Sequence, residues 1–385
     1  MAACDPTGRY NLQSKLGVIK QIAATGIAAS QQGANDTTWS IWSNFCHDLT
    51  CDPFLQDIED PLPLLQIFAH RYRVGTVAPS GSPVKARTVE SALRSVGQTI
   101  ASLGYRDPRL QVAGSGKLDI RLHRQLQAYS KTDPPPARVK PIPLQIIQHV
   151  VHHCYTTTDA RQQTIGHMVT LGFFFLLRPG EYAYTDNPDA APFRLQDVHL
   201  LRNRLRLDIF TCTEHDLTTA THVALEFTTQ KNGVRGELVG LGRSGHQFLC
   251  PVLATIARLK HLRLNRAPPS THLYQYFDGQ RWAAISTGEL TQHFRVTTTL
   301  LGHIVGITPA DISIRSLRSS GAMALLCADV DPDKIRLLGR WRSDEMMRYL
   351  HVQALPIIAP LATLMVQHGY FTFLPNHNQI HLPQL

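Results

Sequence analysis

Between Ile314 and Leu350 the chain carries arginines and one tyrosine at spacings suited to phosphate chemistry. The segments are Ile314-Arg315-Ser316-Leu317-Arg318-Ser319-Ser320-Gly321-Ala322, Leu338-Gly339-Arg340-Trp341 and Arg348-Tyr349-Leu350. Phosphoryl transfer without a metal needs cations held rigidly around two non-bridging oxygens and a nucleophile in line with the leaving group. Arg315 and Arg318 are one helical turn apart at the start of an expected helix Ser316–Cys327, where both can face one anion that also feels the helix N-terminus. A solvated basic turn fits the same residues. Tyr349 offers a phenolic nucleophile, although a lone tyrosine there is ordinarily a core or surface aromatic and only its setting points to chemistry.

Two residues upstream extend the pattern. Arg178 directly follows the apolar stretch Leu171–Leu177, read as the end of a core helix that delivers its guanidinium at a fixed point. Glu181, one turn later, can orient it, although an Arg–Glu surface pair at a helix end has the same spacing. Lys231 precedes Asn232-Gly233, a dipeptide that favours a type I′ turn because both central residues tolerate positive φ. It therefore falls at the tip of an expected hairpin between His222–Gln230 and Val234–Leu241. There its amine can reach a phosphate or a leaving oxygen, or simply keep the turn soluble. Leu338-Gly339 reads as a helix end, Arg340-Trp341-Arg342 as the turn, and Ser343 or Asp344 as the cap of a short helix Asp344–Leu350 carrying Tyr349. Ser319, Ser320, Gly321 and Ala322 are small enough to admit a neighbouring backbone or a nucleic-acid strand.

The elements that must hold these residues are mainly α with a small antiparallel β-sheet: an all-helical N-terminal domain followed by a mixed α+β domain. Residues 1–35 read as an extension with a helix over Leu12–Ala29, and 36–132 as a helical domain. A helix start at Asp36-Thr37-Thr38 is followed there by helices over Pro63–Arg73, Lys85–Leu103 and Lys117–Ser130. Prolines 134, 135, 136, 141 and 143 make 133–143 a linker, since consecutive prolines forbid helix and sheet pairing. Residues 144–370 form the second domain and 371–385 a tail. In the second domain the pattern predicts helices over Leu144–Tyr155, Asp159–Leu177, Pro251–Leu264, Thr287–Val305, Ser316–Cys327 and Asp331–Leu338. A strand is expected over Arg204–Phe210 beside the hairpin.

Composition is consistent with a nucleic-acid partner. The 385 residues carry a formal net charge of +9, and the pI is about 9.3, a modest excess that favours a polyanion without requiring one. The 7 cysteines form no Cys-x-x-Cys pair, and Cys46-His47 with Cys51 lacks a second pair of ligands, so reduced thiols are expected rather than a disulfide framework or a metal site. The run Met168–Leu177 is too short to cross a bilayer, and no secretory signal pattern is visible. A soluble intracellular protein with no membrane partner is expected.

In order, Arg178, Lys231, Arg315-x-x-Arg318, Leu338-Gly339-Arg340-Trp341 and Tyr349 resemble the catalytic signature of the tyrosine recombinase and phage integrase family. That signature combines an arginine after a helix, a lysine in a β-hairpin, His-x-x-Arg, a His or Trp after Leu-Gly, and a tyrosine. Gln230-Lys231-Asn232-Gly233-Val234-Arg235-Gly236 and Leu337-Leu338-Gly339-Arg340-Trp341-Arg342-Ser343-Asp344 resemble the recombinases of eukaryotic Crypton and DIRS-group mobile elements. The resemblance covers Leu144 to about Gln367, and the helical N-terminal third is similar to the family's SAM-like core-binding domain.

The resemblance implies a site-specific DNA recombinase or integrase that needs no cofactor. Arg178 and Arg318 would grip the scissile phosphate, Tyr349 would attack to form a 3′-phosphotyrosyl link, and Lys231 would protonate the departing 5′-oxygen. Glu181 would support Arg178. Arg315 stands at the family's histidine position, where a guanidinium binds phosphate but does not act as a base. Counting back from Tyr349 places the His/Trp position on Arg340, whereas the indole N–H of Trp341 is the better donor to a phosphate oxygen, so both are candidates. The alternative is a catalytically impaired DNA-binding descendant of such an enzyme. Double-stranded DNA is the implied partner, with a homotetramer on paired sites and a nuclear location. Lys85, Arg87 and Arg94 near one expected helix, and Arg121 and Arg124 near another, are candidate contacts to backbone phosphates. The apolar stretch Pro356–Gly369 would dock on a neighbouring subunit or pack on its own domain.

Overall fold

A computed structural model describes residues 26, 28–111, 116–135, 139–203, 205–228 and 235–341. The chain divides into two compact units between Ala137 and Arg138. The expected helices Leu12–Ala29 (apart from residues 26, 28 and 29) and Asp344–Leu350, the turn Asn232-Gly233 and the stretch Pro356–Gly369 lie outside the described residues.

The first unit contains α1 (Ala29–Asp48), α2 (Leu62–Arg73), α3 (Ala86–Ser102) and α4 (Ile120–Thr132). Apolar residues at helical spacing, among them Val89, Leu93, Val96 and Ile100 of α3, close over an aromatic centre of Trp42, Phe45 and Phe68. The Trp42 and Phe68 rings meet edge to face at 5.1 Å, and the indole N–H of Trp42 donates to Pro53 O at 2.9 Å. The helix start expected at Asp36-Thr37-Thr38 is corrected. The Thr37 and Thr38 hydroxyls donate to the carbonyls of Gly33 and Ala34 at 2.9 and 2.8 Å, so they lie inside a helix that begins at Ala29. Asp119, by contrast, caps α4 by accepting from Arg121 N.

Both ends of the proline-rich stretch 133–143 are packed, each on its own unit. Asp133 accepts from Ala86 N at 2.9 Å and pairs with Arg73, which ties the end of α4 to the start of α3. Lys140 pairs with Asp311 at 3.2 Å, Ile142 is buried, and Ile142 N donates to Ser320 Oγ at 2.7 Å.

In the second unit, α5 (Leu144–Tyr155) and α6 (Ala160–Phe174) lead into a four-residue helix α7 (Pro179–Tyr182). Helix α6 is buried on most of its circumference, as its near-continuous apolar sequence requires. The sheet has the order β2-β1-β3-β4 and is antiparallel throughout. Its strands are β1 (Val198–Arg202), β2 (Leu205–Leu207), β3 (His222–Phe227) and β4 (Glu237–Gly242), with α8 (Glu214–Thr218) between β2 and β3. The expected strand to Phe210 ends early because Asp208 turns the chain, accepting from Phe210 N at 3.0 Å and Thr211 Oγ1 at 2.7 Å. Among the described residues, β3 and β4 pair from His222 with Gly242 as far as Phe227 with Glu237.

Helix α9 (Pro251–Leu264), the small hairpin β5 (Gln275–Phe277) and β6 (Trp282–Ala284), and helices α10 (Thr287–Val305), α11 (Ser316–Cys327) and α12 (Pro332–Leu338) complete the unit. Arg258 of α9, 1% exposed, pins these layers together: Nε donates to Leu273 O at 3.0 Å and Nη1 to Thr164 Oγ1 at 2.7 Å, while Nη2 reaches Gln275 O. Helix α11 crosses the end of α6 at Gly321, where a Cβ would overlap Phe173 O and the Leu176 side chain. Ser319, Ser320, Gly321 and Ala322 are all buried. Their smallness admits the protein's own backbone.

Candidate functional site

Two helix ends build the site, and each turns on a residue that pays a steric cost. Helix α6 ends through Leu176 at φ 49°, with Leu177 N bonded back to Gly172 O at 3.0 Å. Helix α12 ends through Arg340 at φ 57°, with Arg340 N on Leu337 O and Trp341 N on Arg336 O, both at 3.0 Å. These are the paired bonds of a Schellman end, whose left-handed position glycine normally fills. Gly339 does not fill it, since its φ is −78°. It is needed because the Trp341 ring lies where its Cβ would be. The helix end expected at Leu338-Gly339 is present, but the left-handed residue is the arginine one position later.

The carbonyls at the end of α6 attract cations, as the negative end of a helix should. Arg318, buried on α11, donates Nη1 to Leu176 O at 2.7 Å and Nη2 to Gly339 O, and its guanidinium lies 4.3 Å from the centre of the Trp341 ring. Arg340 donates Nη1 to Phe175 O at 3.2 Å and Nη2 to Glu181 Oε2 at 3.0 Å. Arg178 donates Nη1 to Glu181 Oε1 at 2.9 Å, and its backbone N–H donates to Glu181 Oε2 at 2.7 Å. Glu181 thus orients Arg178 as expected, and it also holds a second arginine that the sequence did not connect to it. Burial lowers the pKa of Arg340 to about 10, opposed by the nearby Glu181 carboxylate and reinforced by Arg178.

Arg178, Arg318, Arg340, Trp341 and Glu181 are therefore brought together from separate stretches of chain. Arg315 is not. It precedes α11 and is exposed, whereas Arg318 is 6% exposed and turned toward α6, so the expectation that both face one anion is corrected. The start of α11 is buried at Ser316. Lys231 and Tyr349 lie outside the described residues. The strand ends flanking the Lys231 segment are nonetheless at the cluster. The Phe227 ring lies 3.7 Å from the Arg340 guanidinium, Gly236 N donates to Phe227 O at 2.9 Å, and Glu237 acts electrostatically on Arg340. Phe227 was not anticipated as part of this site. The signal available was its place as the last alternating apolar residue before Lys231.

In the first unit Lys85 precedes α3, and Lys85, Arg87 and Arg124 are exposed. Arg94 pairs with Glu90 at 2.8 Å, and Arg121 pairs with Asp60 at 2.6 Å and Asp119 at 3.2 Å. Among the described residues no group of three or more His, Cys, Asp or Glu is placed to hold a metal, and no helix is long and apolar enough to cross a membrane.

No protein-family model and no curated protein matches the chain. Similar solved structures include a lambda integrase(75-356) dimer bound to a COC′ core site, at 12% identity, 89% coverage of this chain, 96% of that chain and TM-score 0.48. The Tn1549 transposon integrase in complex with transposon right end DNA matches at 10% identity, with 80% and 85% coverage and TM-score 0.44. XerA recombinase matches at 13% identity, with 92% and 97% coverage and TM-score 0.37.

Proposed function

We propose that this chain is a site-specific DNA recombinase of the tyrosine type, cutting and rejoining double-stranded DNA through a 3′-phosphotyrosyl intermediate. The observation that carries the reading is the convergence just described. Of the residues nominated from the order of five short motifs, Arg178, Arg318, Arg340 and Trp341 are gathered at one helix end, with Arg318 reaching Leu176 O across 142 residues of sequence. A solvated basic turn would have left Arg318 on the surface with Arg315.

In this reading Arg178 and Arg318 neutralise the non-bridging oxygens of the scissile phosphate as charge grows in the pentavalent state. The phenolate oxygen of Tyr349 forms the new P–O bond, the P–O5′ bond breaks, and Lys231 donates the proton that the departing 5′-oxygen takes up. Phosphodiester energy is kept in the tyrosyl link, so rejoining is the same step reversed. The first unit contributes the role of a core-binding domain, with Lys85, Arg87 and Arg124 against backbone phosphates. A homotetramer on paired sites, a nuclear location and descent from a Crypton- or DIRS-like mobile element belong to the same proposal.

A second reading, a DNA-binding descendant that no longer cuts, is favoured by one observation. Both Nη atoms of Arg318 are engaged by main-chain carbonyls. A suicide duplex nicked near the cleavage point separates the two. The recombinase traps a covalent protein–DNA adduct that Tyr349→Phe does not, whereas tight duplex binding with no adduct from the wild type assigns the second reading.

A further inference from the structure

Arg340 occupies a conformation that opposes its side-chain chemistry being incidental. A left-handed residue other than glycine carries backbone strain, and such strain persists where surrounding contacts over-determine it. Those contacts are all internal. The side chain of Arg340 is 1% exposed. Its guanidinium touches the end of α6 at Phe175 O, the carboxylate of Glu181 at 3.0 Å and the face of Phe227 at 3.7 Å. Its Nε has no hydrogen-bond partner among the described residues. A cation so placed is shielded from a phosphate that approaches from solvent.

What it touches leads outward to the two groups that flank it. Glu181 passes its other oxygen to Arg178, whose side chain is 29% exposed. Phe227 is the last residue of β3 and accepts the bond from Gly236 that closes the base of the segment carrying Lys231. We infer that Arg340 is a positioning residue rather than a phosphate ligand, one buried cation that sets Arg178 through Glu181 and the base of the Lys231 segment through Phe227. The inference rests on the recombinase reading for its catalytic meaning.

Backbone amide exchange tests this without requiring activity, alongside duplex affinity and suicide-substrate cleavage. In Arg340→Met the amides of Arg178 and Gly236 should exchange at least tenfold faster while duplex affinity stays within twofold. Arg340→Lys, which keeps a cation for Glu181 and loses the flat contact with Phe227, should retain protection at Arg178 and lose it at Gly236. If the Met variant does not fold, the split in the Lys variant decides. Unchanged exchange at both amides in Arg340→Lys, or a tenfold loss of affinity with exchange unchanged, overturns the inference. A wild type that traps no adduct while the exchange split is seen overturns the recombinase reading and leaves the positioning role standing.

Discussion

Glu181 gives each oxygen of its carboxylate to a different arginine: Oε1 accepts from Arg178 at 2.9 Å and Oε2 from Arg340, 159 residues away in sequence, at 3.0 Å. Because the Arg340 end is buried, removing the carboxylate leaves a cation without its hydrogen-bonded anion. Glu181→Gln should therefore lower unfolding free energy by about 3 kcal/mol, read from urea denaturation of the whole chain. A loss below about 1 kcal/mol, the size of an exposed pair, would show the bridge to be solvated.

Arg318 combines a proposed role at the phosphate with a structural one. Arg318→Ala should abolish adduct formation while leaving duplex affinity within about tenfold, or 1.4 kcal/mol, because many other phosphate contacts remain. It should also destabilise the fold by about 2 kcal/mol, since two carbonyls lose a charged donor. Denaturation and binding measured on the same preparation separate these effects. Loss of affinity in proportion to lost stability would assign Arg318 to the fold alone.

Gly321→Ala should destabilise by about 1–3 kcal/mol, because the added Cβ has to displace Phe173 O or the Leu176 side chain. Leu176 is also the residue whose carbonyl accepts from Arg318. The variant should therefore also slow cleavage, and a thermal melt unchanged from wild type would show that α11 is free to move away from α6.

Acid should loosen the second unit through histidines beside Arg258. Burial, with Arg258 adding to it, lowers His261 from 6.5 to about 4, and its Nε2 accepts from Phe277 N at 3.0 Å, a bond the protonated ring cannot accept. Burial, then Arg258 and His261, lower His167 to about 3. With folded values below the unfolded one, the stability contribution is complete above pH 6.5 and is lost as pH falls toward about 4. His261→Gln, whose amide oxygen can still accept from Phe277, should flatten the dependence of the urea midpoint over that window. An identical slope in the variant would remove His261 from the account.

Exposed cations in the first unit should differ in their salt dependence. If Arg87 and Arg124 meet phosphates, glutamine at either should reduce the slope of log affinity against log salt by about 0.9. Arg121, already paired with Asp60 and Asp119, should change it less. Equal changes at all three would mean that the Asp60 pair opens on binding.

Several helix positions were legible from the apolar period alone, since Leu144–Tyr155, Pro251–Leu264 and Ser316–Cys327 start without a side-chain cap. Leu144–Tyr155, Pro251–Leu264, Thr287–Val305 and Ser316–Cys327 match the structure end for end. The capping box of Ser286 with Glu289 and the left-handed Gly306 mark the ends of one of them. Strand β1 and the β5–β6 hairpin were missed, since three to five residues are too few to show a period, and β1 is buried at three consecutive positions. At the site, Arg178 with Glu181 was readable because the pair is local. The bond from Glu181 to Arg340, the turn of Arg315 away from Arg318, and the seating of Arg340 on Phe227 depend on how α6, α11 and α12 cross, which no local pattern encodes.

Arg340, even pushed down to about 10 by burial, keeps its proton throughout the neutral range, as guanidinium groups generally do. The floor of this cluster is thus a fixed electrostatic background that no physiological change of pH can switch off. A bell-shaped rate profile between pH 6 and 9 would therefore report on groups other than Arg340.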